Sequence, residues 1–182
     1  MTARIVITGA PSSGKTEFLG RLRREPALSR FVFLDEMARE MLCENPEYRE
    51  NWQEFHIEIY RRQVSREESL SCPFVTDRGT LDALAFHRQT LELVNSSAEV
   101  EYRRYTAIVQ VGSAANLGEG FYRVDQVRQE SIAQALELEE ELRNIWSSHP
   151  EYHFVSAEPD IDSKYERFSR LIFRLCEKDL RI

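Results

Sequence analysis

Short runs of apolar residues alternate along this chain with longer stretches whose apolar positions recur every three or four residues. The short runs fit strands buried on both faces, and the periodic stretches fit amphipathic helices. Ile5-Val6-Ile7 predicts a first strand, and Lys15 to about Arg24 a helix. Phe31 to Leu34 predicts a second strand, followed by a helix that begins near Glu36. A longer helix is expected over 51–70, with Trp52, Phe55 and Ile59 on one stripe. Phe74 to Thr76 reads as a third strand ending at Asp77, and the helix after it turns Leu81, Leu84 and Ala85 inward. Ala107 to Val111 makes a fourth strand. The clearest helix covers 128–147, with Ile132, Ala135, Leu136, Leu142, Ile145 and Trp146 on its apolar side. Tyr152 to Val155 is a fifth strand, and a last helix packs through Tyr165, Phe168, Leu171, Ile172 and Leu175.

Strands that alternate with helices in this way predict βαβ units and a parallel sheet, hence an α/β fold. No repeat, low-complexity segment or Pro/Gly-rich linker divides the chain, so one domain is expected over residues 1–182. The stretch Gly112 to Gln129 has glycines at 112, 118 and 120 and little periodicity. A loop this long inside a compact domain is usually functional, and a lid over about 113–130 is expected.

The most specific segment is Gly9-Ala10-Pro11-Ser12-Ser13-Gly14-Lys15-Thr16, which fits G-x-x-x-x-G-K-[ST] at every fixed position. At average residue usage a chain of this length matches by chance about 1% of the time, so coincidence is a weak rival. The context agrees, because the motif follows an apolar strand and opens a helix. Gly9 and Gly14 let the backbone curl around phosphate oxygens with its N–H groups inward. The helix N-terminus adds unsatisfied donors and partial positive charge. Lys15 then serves the β- and γ-phosphates, and Thr16 offers a hydroxyl to Mg²⁺. The expected ligand is the magnesium complex of ATP or GTP.

Three further groups narrow the chemistry. Asp77-Arg78-Gly79-Thr80-Leu81-Asp82 sits at the end of the third strand. Ligands of open α/β sheets bind beyond the carboxyl ends of strands, so Asp77 and Arg78 are expected to face the phosphates. Asp77 either holds Mg²⁺ through water or accepts a proton from an acceptor hydroxyl, and Arg78 clamps an anion. Asp82 admits two readings, an acceptor contact or an ordinary first-turn helix charge. After the second strand, Asp35-Glu36-Met37-Ala38-Arg39 supplies Glu36 as the better candidate base and Arg39 as an anion or acceptor contact. Arg123 and Arg128 lie in the glycine-bearing loop, where they read as lid arginines that close over a transferring phosphoryl group or as a solvated pair. Arg103, Arg104 and the Arg61-Arg62-Arg66 group read as helix-surface charge.

Composition removes several function classes. A net charge of −7 argues against a nucleic-acid backbone as partner, while a small anion needs only a local cluster of arginines. The three cysteines, Cys43, Cys72 and Cys176, form no CxxC pair and read as small buried hydrophobes in a reducing compartment. His149 and His153 are separated by Pro150, which breaks any helix that would place both on one face, so no zinc site is expected there. No apolar run reaches the length of a membrane helix, and the N-terminus lacks the core of a signal peptide. A cytoplasmic protein, monomeric or homodimeric, is expected.

GAPSSGKT, LDEMARE, DRGTLDALAFHR and the arginine-bearing segment before a long helix resemble the small P-loop ATPase/kinase family related to the nicotinamide riboside kinase domain. They resemble deoxynucleoside and thymidylate kinases more distantly. The resemblance covers roughly residues 3–175. It implies a three-layer P-loop NTPase fold, a parallel five-stranded sheet of order 2-3-1-4-5 with helices on both faces and a lid. It also implies Lys15 and Thr16 at the phosphates and metal, Glu36 or Asp77 at the acceptor, and the lid arginines at the γ-phosphate. Deoxynucleoside kinases usually carry a Glu-Arg-Ser-like motif where this chain has Asp77-Arg78-Gly79.

The expected activity is therefore transfer of the γ-phosphoryl of ATP to a small acceptor, a nucleoside, nucleotide or vitamin-like riboside. The alternative is a regulatory ATP- or GTP-binding hydrolase that acts as a switch for a protein or lipid partner. No Asn-Lys-x-Asp guanine reader follows a late strand, which weakens a Ras-like version of that switch. A ring-forming AAA motor ranks last, since the chain is too short for both a core and a separate helical lid domain. A nucleic-acid 5′-kinase is disfavoured by the acidic balance.

Overall fold

In a computed structural model, which describes residues 2–122 and 130–180, five strands form one sheet. They are β1 (Arg4–Thr8), β2 (Val32–Leu34), β3 (Phe74–Asp77), β4 (Ala107–Val111) and β5 (Tyr152–Val155). Every pairing is parallel and the order is β2-β3-β1-β4-β5, as the resemblance implies. β1 is thus the central strand, and Ile5, Val6 and Ile7 are wholly buried. A strand covered on both faces has no solvent side to alternate with, which explains its continuous apolar run. The register sets Ile7 beside Asp77 on one side and beside Val109 on the other. Asp77 therefore ends β3 alongside the start of the glycine loop.

Successive side chains on a strand point to opposite faces, and the sheet accordingly carries two cores. On one face, Ile5, Ile7, Val75, Val109 and Val111 pack against α1 (Lys15–Leu22) and α7 (Ile161–Leu180) through Phe18, Leu22, Phe168 and Ile172. On the other, Val6, Leu34, Phe74 and Ile108 meet Leu81, Tyr105 and Trp146. Trp146 closes α6 (Ile132–Trp146), whose N-terminus is fixed by a capping box between Ser131 and Gln134. The remaining helices are α2 (Ala38–Glu44), α3 (Trp52–Glu68), α4 (Thr90–Leu93) and α5 (Ala98–Tyr102).

Several expectations need correction. Residues after β3 form a 3₁₀ segment, Thr80–Ala85, instead of an α-helix, and Ala83 is buried where Ala85 was expected. The Asp82 carboxylate folds back onto the Gly79 N–H and tightens that turn. On α3, Trp52 is half exposed, and the inward stripe is Phe55, His56, Gln63 and Glu67. This helix covers the polar end of β3, where Gln63 donates to Thr76, so its inner face is polar. Leu136 is exposed on α6, while Glu139 takes a buried position in register with Ala135, Leu142 and Trp146. Cys176 is buried as expected, but Cys43 is exposed. The loop after β4 carries a 3₁₀ turn at Ala114–Leu117, and Ala115 and Tyr122 pack on Ala135. Among the described residues, no helix is long and apolar enough to cross a membrane.

Gly79 lies between Val6 of β1 and Trp146 of α6. A Cβ there meets Trp146 Cζ2 at 2.9 Å and Val6 Cγ2 at 2.9 Å, two rigid groups in a filled core. Gly79→Ala is expected to destabilise the fold by about 1–3 kcal/mol through overpacking, measured by urea unfolding. Gly20→Ala is the control, because none of the described residues lies within 4 Å of a Cβ at that helical position, its own helix backbone aside. It should stabilise by about 0.4–1 kcal/mol.

Candidate functional site

The segment Gly9 to Thr16 turns sharply from β1 into α1. Gly9 has φ +150°, Ser12 φ 59° and Gly14 φ +91°. A Cβ at Gly9 would strike the carbonyl oxygen of Val111, so both geometry and space require glycine there. Gly14 is the N-cap of α1 and brings no side-chain cap, which leaves the first-turn N–H groups without a side-chain acceptor. Ala10 and Ser13 are buried, Pro11 and Ser12 half-buried, and Thr16 stands exposed beside Lys15. Lys15 Nζ donates to the Gly9 carbonyl at 2.7 Å and to Ser13 Oγ at 3.3 Å. Burial pulls the Lys15 ammonium down to about 8, helped by the Arg78 charge and opposed by Asp77 and Glu36.

Glu36, Asp77 and Arg78 leave the carboxyl ends of β2 and β3 and converge on the same edge. Arg78 Nε donates to Glu36 Oε1 at 3.0 Å, and Arg78 Nη1 to Asp82 Oδ1 at 3.3 Å. Burial pushes the Glu36 carboxyl up, but Arg78 and Lys15 outweigh it and hold the group below its ordinary range. Asp77 behaves the other way. It is 6% exposed, its Oδ1 has no hydrogen-bond partner among the described residues, and burial raises its pKa to about 6 against the pull of Lys15. A buried carboxylate oxygen left without a donor is a group that awaits a cation or a proton.

Asp82 is the first-turn charge of one of its two sequence readings, since it caps the 3₁₀ segment after β3, but it does more than cap. Its Oδ1 accepts from Thr8 Oγ1 and Arg78, and its Oδ2 accepts from the Gly79 N–H at 2.8 Å and Trp146 Nε1 at 3.2 Å. This buried carboxylate joins β1, the end of β3 and α6, and it fixes where the Arg78 guanidinium points. The Arg78-to-Asp82 spacing of four residues was the only trace of it in the sequence.

Aromatic rings form a shelf beside Arg78. The guanidinium lies over the Phe86 ring at 5.6 Å from its centroid. The His56 ring stacks on Phe86 at 6.2 Å and on His87 at 5.7 Å, with Trp52 6.0 Å from His56. Phe86 and Trp52 are each about half exposed, so the shelf keeps ring surface open to solvent. Of these rings only Trp52 was singled out from the sequence, as a core position, while His56, Phe86 and His87 fall in two distant segments.

Other expected residues fall elsewhere. Arg123 and Arg128 lie outside the described residues. Arg39 is exposed near Glu36. Arg104, expected at the surface, has a side chain only 14% exposed and pairs with buried Glu67 at 3.3 Å. Behind the glycine loop, Ser113 Oγ donates to the Pro11 carbonyl at 2.5 Å, and Glu139 accepts from the Ser113 N–H. Lys164 of α7 also reaches this loop. Glu139 and Lys164 were missed because each occupies an apolar stripe. A charged residue at a core-facing helical position was the available signal.

Among solved structures, this chain is similar to deoxyadenosine kinase from M. mycoides with the products dCMP and a flexible dCDP bound. The identity is 14% and the TM-score 0.58, over 94% of this chain and 99% of that one. It is equally similar to the same kinase with bound dATP, again at 14% identity and TM-score 0.58, over 93% and 98% of the two chains. At that identity the likeness is one of fold. A comparison with curated proteins gives no match. A family model described as an AAA domain matches residues 4–163, nearly the whole chain, and the chain belongs to that family.

Proposed function

We propose that this protein is a small-molecule kinase that binds Mg-ATP, or Mg-GTP, at Gly9–Thr16 and transfers the γ-phosphoryl group to an acceptor held over Glu36, Arg78 and the aromatic shelf. The observation that carries this reading is the convergence of an anion cradle with an acid/arginine pair and open aromatic rings at one sheet edge. A nucleotide hydrolase would use the cradle and charged groups but has no need of open aromatic rings, whereas an acceptor with a flat ring and a hydroxyl would use all three. A nucleoside, nucleotide or pyridine riboside has that chemistry.

In this scheme the acceptor oxygen forms a bond to the γ-phosphorus, the bond from that phosphorus to the β-bridging oxygen breaks, and ADP leaves. The acceptor proton passes to Glu36, which the Arg78 contact keeps ionised at neutral pH. The same contact makes Glu36 a weak base, which suffices for a loose transition state in which proton removal comes late. Arg78 and Lys15 neutralise charge on the phosphoryl oxygens. Thr16 and Asp77 would hold Mg²⁺, a hard cation that takes oxygen donors and that, when bound, screens the β- and γ-phosphates. The unpartnered Asp77 Oδ1 fits that role. The described residues contain no group of three or more ligating side chains, which suits a metal held largely by phosphates and water. The arginines at 123 and 128 are proposed to close over the γ-phosphate.

The test is ADP and GDP release with Mg²⁺, with and without pooled nucleosides, nucleotides and pyridine ribosides. Strong stimulation by one pool is expected. Slow, unstimulated release in every pool would favour a regulatory switch instead. Lys15→Ala should abolish tight triphosphate binding, and unchanged Mg-ATP affinity would overturn the phosphate-site assignment. Glu36→Gln should keep nucleotide affinity and lower transfer about 10²-fold or more. Wild-type turnover in that variant would move the base to Asp77.

The Asp77 site also sets a stability cost. Its folded pKa of about 6 exceeds the ordinary value of 3.8, so the folded state binds the proton more tightly than the unfolded state. The contribution to stability is full below about pH 4 and is lost as pH rises through 6. Asp77→Asn should therefore raise stability at pH 8 by about 2 to 3 kcal/mol, with little gain at pH 4, while it abolishes Mg-dependent turnover. Equal melting of variant and wild type at both pH values would show that the carboxylate is not destabilised by burial.

A further inference from the structure

Lys164 is a buried lysine whose ammonium is held by backbone carbonyls. It sits near the start of α7, 3% exposed, and donates to the Ser13 carbonyl at 2.7 Å and to the Gly112 carbonyl at 2.6 Å. Among the described residues no carboxylate lies within ion-pair distance of it, and its Nζ lies 5.7 Å from the centre of the Phe18 ring. Lysines are almost never fully buried without a paired charge. The placement of this one calls for a role.

The role follows from the back of the glycine loop. Three consecutive carbonyls there are each taken by a donor from outside the loop. Pro11 accepts from Ser113 Oγ at 2.5 Å, Ser12 from the Ala114 N–H at 3.1 Å, and Ser13 from Lys164 Nζ at 2.7 Å. In a planar trans peptide the C=O and N–H point in opposite directions, and the described residues contain no cis peptide. Holding these three oxygens outward turns the N–H groups of Ser12, Ser13 and Gly14 toward the inner side of the loop. A row of successive inward N–H groups is an anion nest.

We propose that Lys164 is a positioning residue for the phosphate site: it ties the last carbonyl of the nest to α7 and β4 and adds a second buried positive charge behind Lys15. This rests on the phosphate-site reading above. Burial pulls Lys164 down to about 8, with Glu139 opposing and Lys15 adding to the shift, so the group remains charged at pH 7. Its second tie, to Gly112, lies where the chain leaves β4, and a Cβ at Gly112 would meet the Ala157 nitrogen at 2.8 Å. One ammonium thus holds the glycine loop, the end of β4 and the helix after β5 in a fixed relation.

The experiment is calorimetric titration of Mg-ATP and Mg-ADP into wild type, Lys15→Ala, Lys164→Met, Lys164→Gln and Lys164→Arg, with thermal melting of each. Wild-type binding that Lys15→Ala abolishes establishes the phosphate site; its absence would sink that reading rather than this one. Lys164→Met is then expected to lose roughly tenfold or more in affinity for both nucleotides, equally, since the nest serves the α- and β-phosphates that both share. Lys164→Arg, which keeps charge and donors, should recover most of it. Should Lys164→Met fail to fold, Lys164→Gln, whose amide can still serve one carbonyl, takes its place with an expected loss of at least about threefold. A folded variant of either kind with wild-type affinity overturns the proposal, even if its melting temperature falls, because a purely structural lysine would lower stability without touching nucleotide affinity.

Discussion

A single buried carboxylate, that of Asp82, sets the geometry on which the candidate site depends. It accepts from a β1 hydroxyl, from the Arg78 guanidinium, from the Gly79 N–H and from the Trp146 indole. Such a group is costly to bury unless its lone pairs are filled, and here donors from three elements fill them. Removing any one donor leaves the charge underpaired, so the four donors act together. The consequence at the site is direct. Arg78 cannot swing away, because one end of its guanidinium is bound to Asp82 while the other meets Glu36.

The backbone beneath Arg78 shows what that fixation requires. Arg78 has φ 73°, a left-handed conformation that costs a residue with a Cβ about 1 kcal/mol or more. Its N–H is bound to the Ile7 carbonyl at 2.9 Å, and its own carbonyl accepts from Thr76 Oγ1 at 2.9 Å. Gln63, drawn in from α3, adds a longer contact at 3.4 Å. This explains why α3 carries a polar inner face, which its apolar spacing alone did not foretell. Gln63 of this helix serves the end of β3 directly, and Glu67 accepts from Gln63 and from Tyr105 behind it.

The legibility of the sequence follows the same division. The glycine loop could be read residue by residue because backbone conformation and close approach fix the residue types at set spacings. The strand order came from resemblance, and the strands themselves from apolar runs that burial on both faces makes continuous. Glu36 and Arg78 were identifiable as strand-end candidates, yet their mutual contact was not, since forty-two positions separate them. The aromatic shelf joins α3 to the segment after β3 by stacking, which leaves no periodic trace. Lys164 and Glu139 were hidden by the assumption that an amphipathic stripe is apolar throughout. Lys164 stands four before Phe168 and eight before Ile172, squarely on the buried face of α7.

Charge balance then accounts for how such a site persists in the fold. Lys15 and Arg78 face Glu36, Asp77 and Asp82, while Lys164 lies behind the glycine loop with Glu139 near it. Opposite charges in one buried region reduce each other's desolvation cost, but they do not remove it, as the downward shift of Lys15 and the upward shift of Asp77 both show. Net positive charge is therefore not what would draw a phosphate to this edge. The directed N–H groups of the glycine loop and of the first turn of α1 supply a field without a free charge, and they need no counter-ion when the site is empty of ligand. An anion and a hard cation that arrive together would relieve both shifts at once, because one pairs with Lys15 and the other with Asp77. Binding of the pair would in this way be coupled to the stability of the fold, and the cost of the buried charges would become differential affinity for a metal-bound phosphate over either component alone.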